Sequence, residues 1–303
     1  MTELTADTFN EICRAEPVQV QLAASEANHA KVQKTTKAMT LMVLAIVLVA
    51  AAVVYFIDPF WIIGVLIFGV VGLLWARNAA SSKAAEELKT AILPHIAERA
   101  GLTYSVEPGD PQGFGAVRKT LFGSANRLSF SDSFTGQVDG REAAFYEADL
   151  EQVTHGKNRT VHTIFKGQIY WFRRRTPSAA KIIVIPDKGL FNVFKPERGM
   201  QRVKFENDRD FEKRFEVYSD NPAQAEITLG SSDLRAWLLQ LRGKGALFLQ
   251  ITGDETLVAV SGPNRFEPGD MGKKAPGEER ARKMFDDLCA CLTQAKELSA
   301  RLT

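Results

Sequence analysis

The sequence predicts an α+β protein, with an N-terminal two-helix transmembrane hairpin followed by a cytoplasmic domain whose antiparallel sheet is covered by helices. Three observations predict it. Met39 to Ala76 carries a single formally charged side chain, Asp58, beside Pro59. From Leu102 onward the apolar residues shift toward alternation, the period of a half-buried strand. The chain closes on Gly277 to Leu302, where Ala281, Met284, Phe285, Leu288, Leu292, Ala295 and Leu298 recur at helical spacing.

The apolar stretch divides at Asp58-Pro59 into runs over 39–57 and 60–76, since the residue before a proline is pushed out of helix. About 20 residues at a rise of about 1.5 Å each cross roughly 30 Å of hydrocarbon, and the second run is at the short end of the range. A buried helical hairpin in a soluble protein fits less well, because core helices rarely run so far without charge. A signal peptide fits less well again: the run begins near residue 39 and no small-residue cleavage pattern ends it.

Lys31, Lys34 and Lys37 precede the first run, Arg77 and Lys83 follow the second, and the turn carries no positive charge, so both termini are expected in the cytoplasm. Tyr55, Phe56, Asp58, Phe60 and Trp61 mark the outer interface; Trp75, Lys34, Lys37 and Arg77 mark the inner one. Ala45, Ala50, Ala51 and Ala52, with Gly64, Gly69, Gly72 and Ala76, would allow close helix approach, within the hairpin or in a dimer.

In order, residues 1–38 form a polar helical segment interrupted at Pro17, with a thin apolar face (Phe9, Ile12, Val18, Leu22, Val32). Residues 77–101 form a connecting helix on Leu88, Ile92 and Ile96, kinked or restarted at Pro94 and stopped at Gly101. Residues 102–303 are the cytoplasmic domain. Its candidate strands are 102–106, 127–131, 137–138, 142–153, 160–173, 181–185, 201–205, 216–219, 246–252 and 256–260. Turn signals at Asp139-Gly140, His155 to Arg159 and Gly253-Asp254 make neighbours antiparallel. Helices are expected at 208–215, 222–229 and 232–241, and loops at 186–200 and 263–276.

With 38 Lys plus Arg against 36 Asp plus Glu in 303 residues, the chain lacks the basic excess that nucleic acid requires, and no nucleic-acid partner is expected. Three cysteines, Cys13, Cys289 and Cys291, supply no disulfide framework and suit a reducing compartment.

The run VKFENDRDFEKRFEVYSD at 203–220, with the Ala/Glu and Leu/Trp helices after it, resembles the bacterial family catalogued as domain of unknown function 3137. Upstream, IFKGQIYWF and KIIVIPD are similar to that family's strand pair. TLGSSDLRAW departs from the family's more usual Leu-Thr-Pro step. The resemblance covers roughly 30 to 300 and implies a bacterial inner-membrane protein with no catalytic residues to carry over.

Candidate sites are weighed against packing. Phe211 and Phe215, four apart on a helix, and Tyr218 on the strand beyond fit a core, or else a ligand pocket. Glu147, Asp149 and Glu151 alternate on one strand face; a solvated face explains them as well as a hard-cation site. Arg173, Arg174 and Arg175 follow an aromatic strand end and read as a solvated loop, or as a grip on anionic lipid or phosphate. Cys289 and Cys291 lie about 200° apart around a helix and cannot share one metal. No metal motif, nucleophile elbow or phosphate loop is present in the sequence, and no cofactor is expected. The function expected is therefore a membrane-anchored interaction or regulatory scaffold with a membrane or cytoplasmic protein partner. The alternatives are a sensor or enzyme with a pocket beside the Phe211 helix, and lipid binding through the arginine run.

Overall fold

The computed structural model describes residues 4–57, 62–156, 158–187, 197–269 and 275–302, with some side chains of the long N-terminal helices outside that set. The chain divides into two compact units, one built of Ala97–Arg265 and Cys289–Thr303, the other of Leu4–Ile96 and Phe266–Leu288.

The helical unit begins with α1 (Ala6–Arg14), whose Thr5 hydroxyl accepts the Thr8 N–H at 3.3 Å, a capping arrangement that satisfies one otherwise orphaned donor. Helix α2 (Glu16–Ile57) starts beside Pro17 and runs without a break across residue 39. Helix α3 (Ile62–Arg99) is likewise continuous through Pro94. Phe9 and Ile12 of α1 are buried, Phe9 edge-on to Phe285 at 5.2 Å and capped by the Arg282 guanidinium at 4.1 Å. The thin N-terminal face thus packs against the chain itself. Leu88, Ile92, Leu93 and Ile96 are buried in the same unit, and Lys89 pairs with Glu267 at 3.1 Å.

Among the described residues no helix is long and apolar enough to cross a membrane. Asp58, Phe60 and Trp61 lie outside the described residues, as do the side chains of Tyr55, Phe56 and Arg77.

The second unit is a mixed layer of sheet and helix, with all pairings antiparallel. The strands are β1 (Leu102–Ser105), β2 (Arg127–Val138), β3 (Arg141–Thr154), β4 (Thr160–Pro186), β5 (Gln201–Val203), β6 (Phe215–Ser219) and β7 (Leu247–Ser261), ordered β1-β2-β3-β4-β6-β5 with β7 also on β4. The expected β2 fragments are one strand with a bulge at Asp132, φ +50°, whose carboxylate accepts the Tyr104 hydroxyl at 2.6 Å. The expected break at 174–180 is a bend within β4. Gly253-Asp254 is likewise no hairpin turn: β7 continues through it, and the bends match, Ser178 lying opposite Gly253. Asp139-Gly140 does turn the chain, both residues at positive φ.

The bend brings both halves of β4 (Phe165, Ile169 and Ile183, Ile185) and of β7 (Phe248, Leu257, Ala259) onto one apolar cluster. Helix α4 (Phe114–Phe122) inserts Phe114, Val117, Leu121 and Phe122 there. Sequence reading missed α4, because its Gly113 start lacks a side-chain cap. The second half of α8 (Gly277–Leu302) lies against the opposite face of β3 and β4: Arg141 Nη1 donates to the Ser299 carbonyl and hydroxyl at 2.5 and 2.6 Å, and Cys291 is buried near the Tyr170 ring. Its first half packs in the helical unit, so the helix covers the sheet with only part of its apolar face.

Gly167 lies between Ala148 of β3 and Ser261 of β7 at φ +153°, and a Cβ there would fall 2.2 Å from the Val260 carbonyl oxygen. Gly167→Ala is expected to cost about 2–4 kcal/mol of stability. A urea melt of the purified chain, followed by tryptophan fluorescence, would show it as a lowered midpoint.

Candidate functional site

The edge strand β5 and the residues after it form one wall of an open groove of about 650 Å³. Gln201 to Asn207 line it on one side; Pro222, Glu226 and Gly230, spaced by one helical turn, line it on the other with Arg235. The second wall belongs to α6 (Pro222–Leu229), started by the Asn221 side chain and Pro222, and to α7 (Ser232–Arg242), capped by Ser231.

Arg235 holds this corner together although only 7% exposed. Its Nε donates to Asp208 Oδ2 at 2.7 Å, its Nη1 to the Leu229 and Gly230 carbonyls at 2.9 and 2.7 Å, and its guanidinium lies 4.9 Å over the Phe205 ring. The carbonyls that end α6 are thereby satisfied. Asp208 also caps α5 (Arg209–Glu212) by accepting the Phe211 N–H at 3.1 Å. Glu212 accepts the Phe205 N–H at 2.8 Å, and Arg202 pairs with Glu216 at 3.2 Å. These charges are committed to one another, so the groove offers its rim: Lys204, Glu206 and Glu226 are exposed.

The helix expected over 208–215 is a single turn, because Phe215 opens β6. Phe211 and Phe215 do meet, ring centroids 5.0 Å apart, with Phe205 against Phe211 at 5.6 Å. Both are fully buried and neither lines the groove. Tyr218 is half-buried and donates to Glu216 Oε2 at 3.0 Å; burial, then that carboxylate, pushes its hydroxyl pKa up. Sequence reading missed Arg235, Asp208 and Phe205. An arginine among apolar residues of an amphipathic helix, 27 residues from an N-capping aspartate, was the available signal.

The three arginines do not converge. Arg173 donates to Asp254 at 2.6 Å and Glu142 at 3.3 Å and lies 5.2 Å over Trp171. Arg174 reaches Thr256 Oγ1 at 3.3 Å and the Leu302 carbonyl, and Arg175 the Asp139 carbonyl at 3.2 Å. Burial lowers the Arg174 pKa. The run thus lies within β4 at the bend, not in a loop, with Arg175 exposed and Arg173 and Arg174 partly so.

The acidic ladder is likewise no simple solvated face. Glu147 is 2% exposed and accepts the Arg265 N–H; Asp149 pairs with Lys166 at 3.2 Å and Glu151 with Arg127. Cys291 is buried and Cys289 half-buried on α8, and burial pushes the Tyr170 hydroxyl well above its ordinary value. His155 borders a second hollow of about 360 Å³ with Asn126, Arg127, Val153 and Arg159. Of the interface residues, Lys34, Lys37 and Trp75 are described and exposed, Trp75 at 74%.

Residues 163–299 match the family described as protein of unknown function (DUF3137). No curated protein matches the chain. Among solved structures, the crystal structure of the mycobacterial trehalose monomycolate transport factor A, TtfA, is similar at 15% identity and a TM-score of 0.38, covering 66% of this chain and 94% of that one.

Removing Arg235 leaves Asp208 and two helix-end carbonyls without their donor. Arg235→Ala is expected to destabilise the β5–α7 corner by about 3–5 kcal/mol. Arg235→Lys should recover little, because one ammonium cannot make the forked contacts. Hydrogen exchange of 205–242, accelerated in both variants, would check this.

Proposed function

We propose that this chain, whose residues 163–299 match the DUF3137 family, is a membrane-anchored interaction module. In this reading a helical hairpin over 39–57 and 60–76 spans the bacterial inner membrane, with both termini cytoplasmic, and the α+β domain docks a membrane or cytoplasmic protein partner.

One observation carries the anchor. Among the described residues most of the exposed large apolar side chains lie between Met39 and Trp75: Leu41 and Leu48 are each 69% exposed, and Met42, Leu44, Ile46, Val49, Ile67, Val70, Val71 and Leu74 accompany them, with Val20, Val161 and Ile227 exposed singly elsewhere. Thr36, Thr40, Val43, Val47 and Ala50, three and four apart, are half-buried in between. That is a seam on one side of a helix, and a Cβ on Gly69 would fall 2.3 Å from Val47 Cγ2, so the second helix meets it there. Each exposed side chain leaves roughly 1.5–3 kcal/mol of burial unrealised in water. A lipid phase would supply that transfer for all of them together.

A second reading, a ligand-binding sensor or enzyme, is favoured by the groove beside the Phe211 cluster. It differs in what occupies the groove, not in the anchor.

Fractionation of cells expressing the full chain tests the proposal. The protein is expected to stay in the membrane pellet through an alkaline carbonate wash. Leu44→Arg with Leu48→Arg adds about 2.5–3.5 kcal/mol per arginine at a helix centre and should release or aggregate it. Release of the unaltered chain by carbonate would defeat the anchor. In-cell crosslinking then tests the module: a reproducible partner lost with a hairpin-only chain supports docking, and recovery of the protein alone contradicts it.

A further inference from the structure

We propose that a lysine collar at the base of the helix pair, Lys34 and Lys37 on α2 with Lys83 on α3, binds the phosphate-bearing headgroups of anionic phospholipids. The inference rests on the membrane-anchored reading and adds a lipid class to it.

The geometry comes from the Val47–Gly69 contact. Lys34 lies thirteen residues before Val47, and Lys83 fourteen after Gly69. At about 1.5 Å per residue both stand roughly 20 Å from that contact along antiparallel helices, and so at one level. Lys37 lies twenty residues before Ile57, where α2 ends. That spacing is about 30 Å, the thickness of a hydrocarbon layer, which puts the collar where headgroups begin.

Chemistry agrees with position. Lys34 and Lys37 are three apart and share one side of α2. All three lysines are exposed and make no ion pair among the described residues. The Thr40 hydroxyl is occupied within its own helix, Oγ1 donating to the Thr36 carbonyl at 2.7 Å. Met39, Leu41 and Met42 expose apolar surface immediately above. A headgroup phosphate can therefore meet the ammonium groups while its acyl chains lie along these side chains, with the lysine stems spanning the boundary. The arginine run at 173–175, by contrast, is engaged with Asp254, Glu142 and backbone carbonyls.

The test uses the full-length protein reconstituted into mixed phosphatidylcholine and phosphatidylglycerol vesicles, with spin-labelled forms of each lipid reporting the motionally restricted shell. Phosphatidylglycerol is expected to be preferred about fivefold or more, each basic residue near the surface contributing an interaction of that order. The preference should weaken as salt rises. The triple variant K34Q/K37Q/K83Q should bring it close to parity, and K34R/K37R/K83R should keep it. Parity in the unaltered protein, or an unchanged preference in the glutamine variant, overturns the proposal. Vesicle flotation of the same samples separates the two ideas: a protein that floats without lipid preference defeats the collar alone, and one that does not float defeats the anchor.

Discussion

Strand β4 is the constraint on which the sheet unit depends. Its 27 residues must find partners for their backbone groups, and an unpaired buried amide or carbonyl is costly. The first half pairs with β3, the last residues with β6, and β7 follows along 167–184. One strand therefore joins both ends of the sheet. The pairing shifts by a residue at Phe165/Thr163 against β3, and more widely between Arg173 and Ile182 against β7, where Arg173 is held by Asp254 and Glu142. Folding β4 and β7 together at that point builds the apolar cluster that α4 completes. The arginine run and the core thus have one cause.

The same bend explains what the sequence conceals. Alternation located nearly all of the strands, because a half-buried strand advertises its period. It also cut β4 and β7 in two, since Thr176-Pro177-Ser178 and Gly253-Asp254 carry the residues that end strands elsewhere. Bent long strands and hairpins share that local chemistry; only pairing across the sheet separates them. Glu147 illustrates the converse. Its alternation with Tyr146 and Ala148 implies a wet face, yet the sheet is covered on both sides there and the carboxylate accepts a main-chain N–H. Covering by a distant segment leaves no trace in a strand's own pattern.

At the groove, the cluster of Phe211 and Phe215 was legible, and its setting was not. A four-residue spacing reads as helix, but the chain leaves the helix after Glu212 and Phe215 reaches Phe211 from a strand. Arg235 and Asp208 are 27 residues apart and become partners only when α7 folds back over α5. Their mutual bonds fix the corner and leave the charges of the rim exposed.

The helix pair poses a separate physical demand. Val47 of α2 approaches Gly69 of α3 within a row of half-buried residues, and apolar side chains on the other sides of the helices are exposed. The central claim, that lipid covers them, is tested most directly by carbene labelling from a diazirine probe dissolved in the bilayer of vesicles that hold the full chain. The account predicts adducts on Leu41, Met42, Leu44, Ile46, Leu48 and Val49, with Val43 and Val47 spared and the sheet unlabelled. A helix pair labelled no more than the sheet would contradict it.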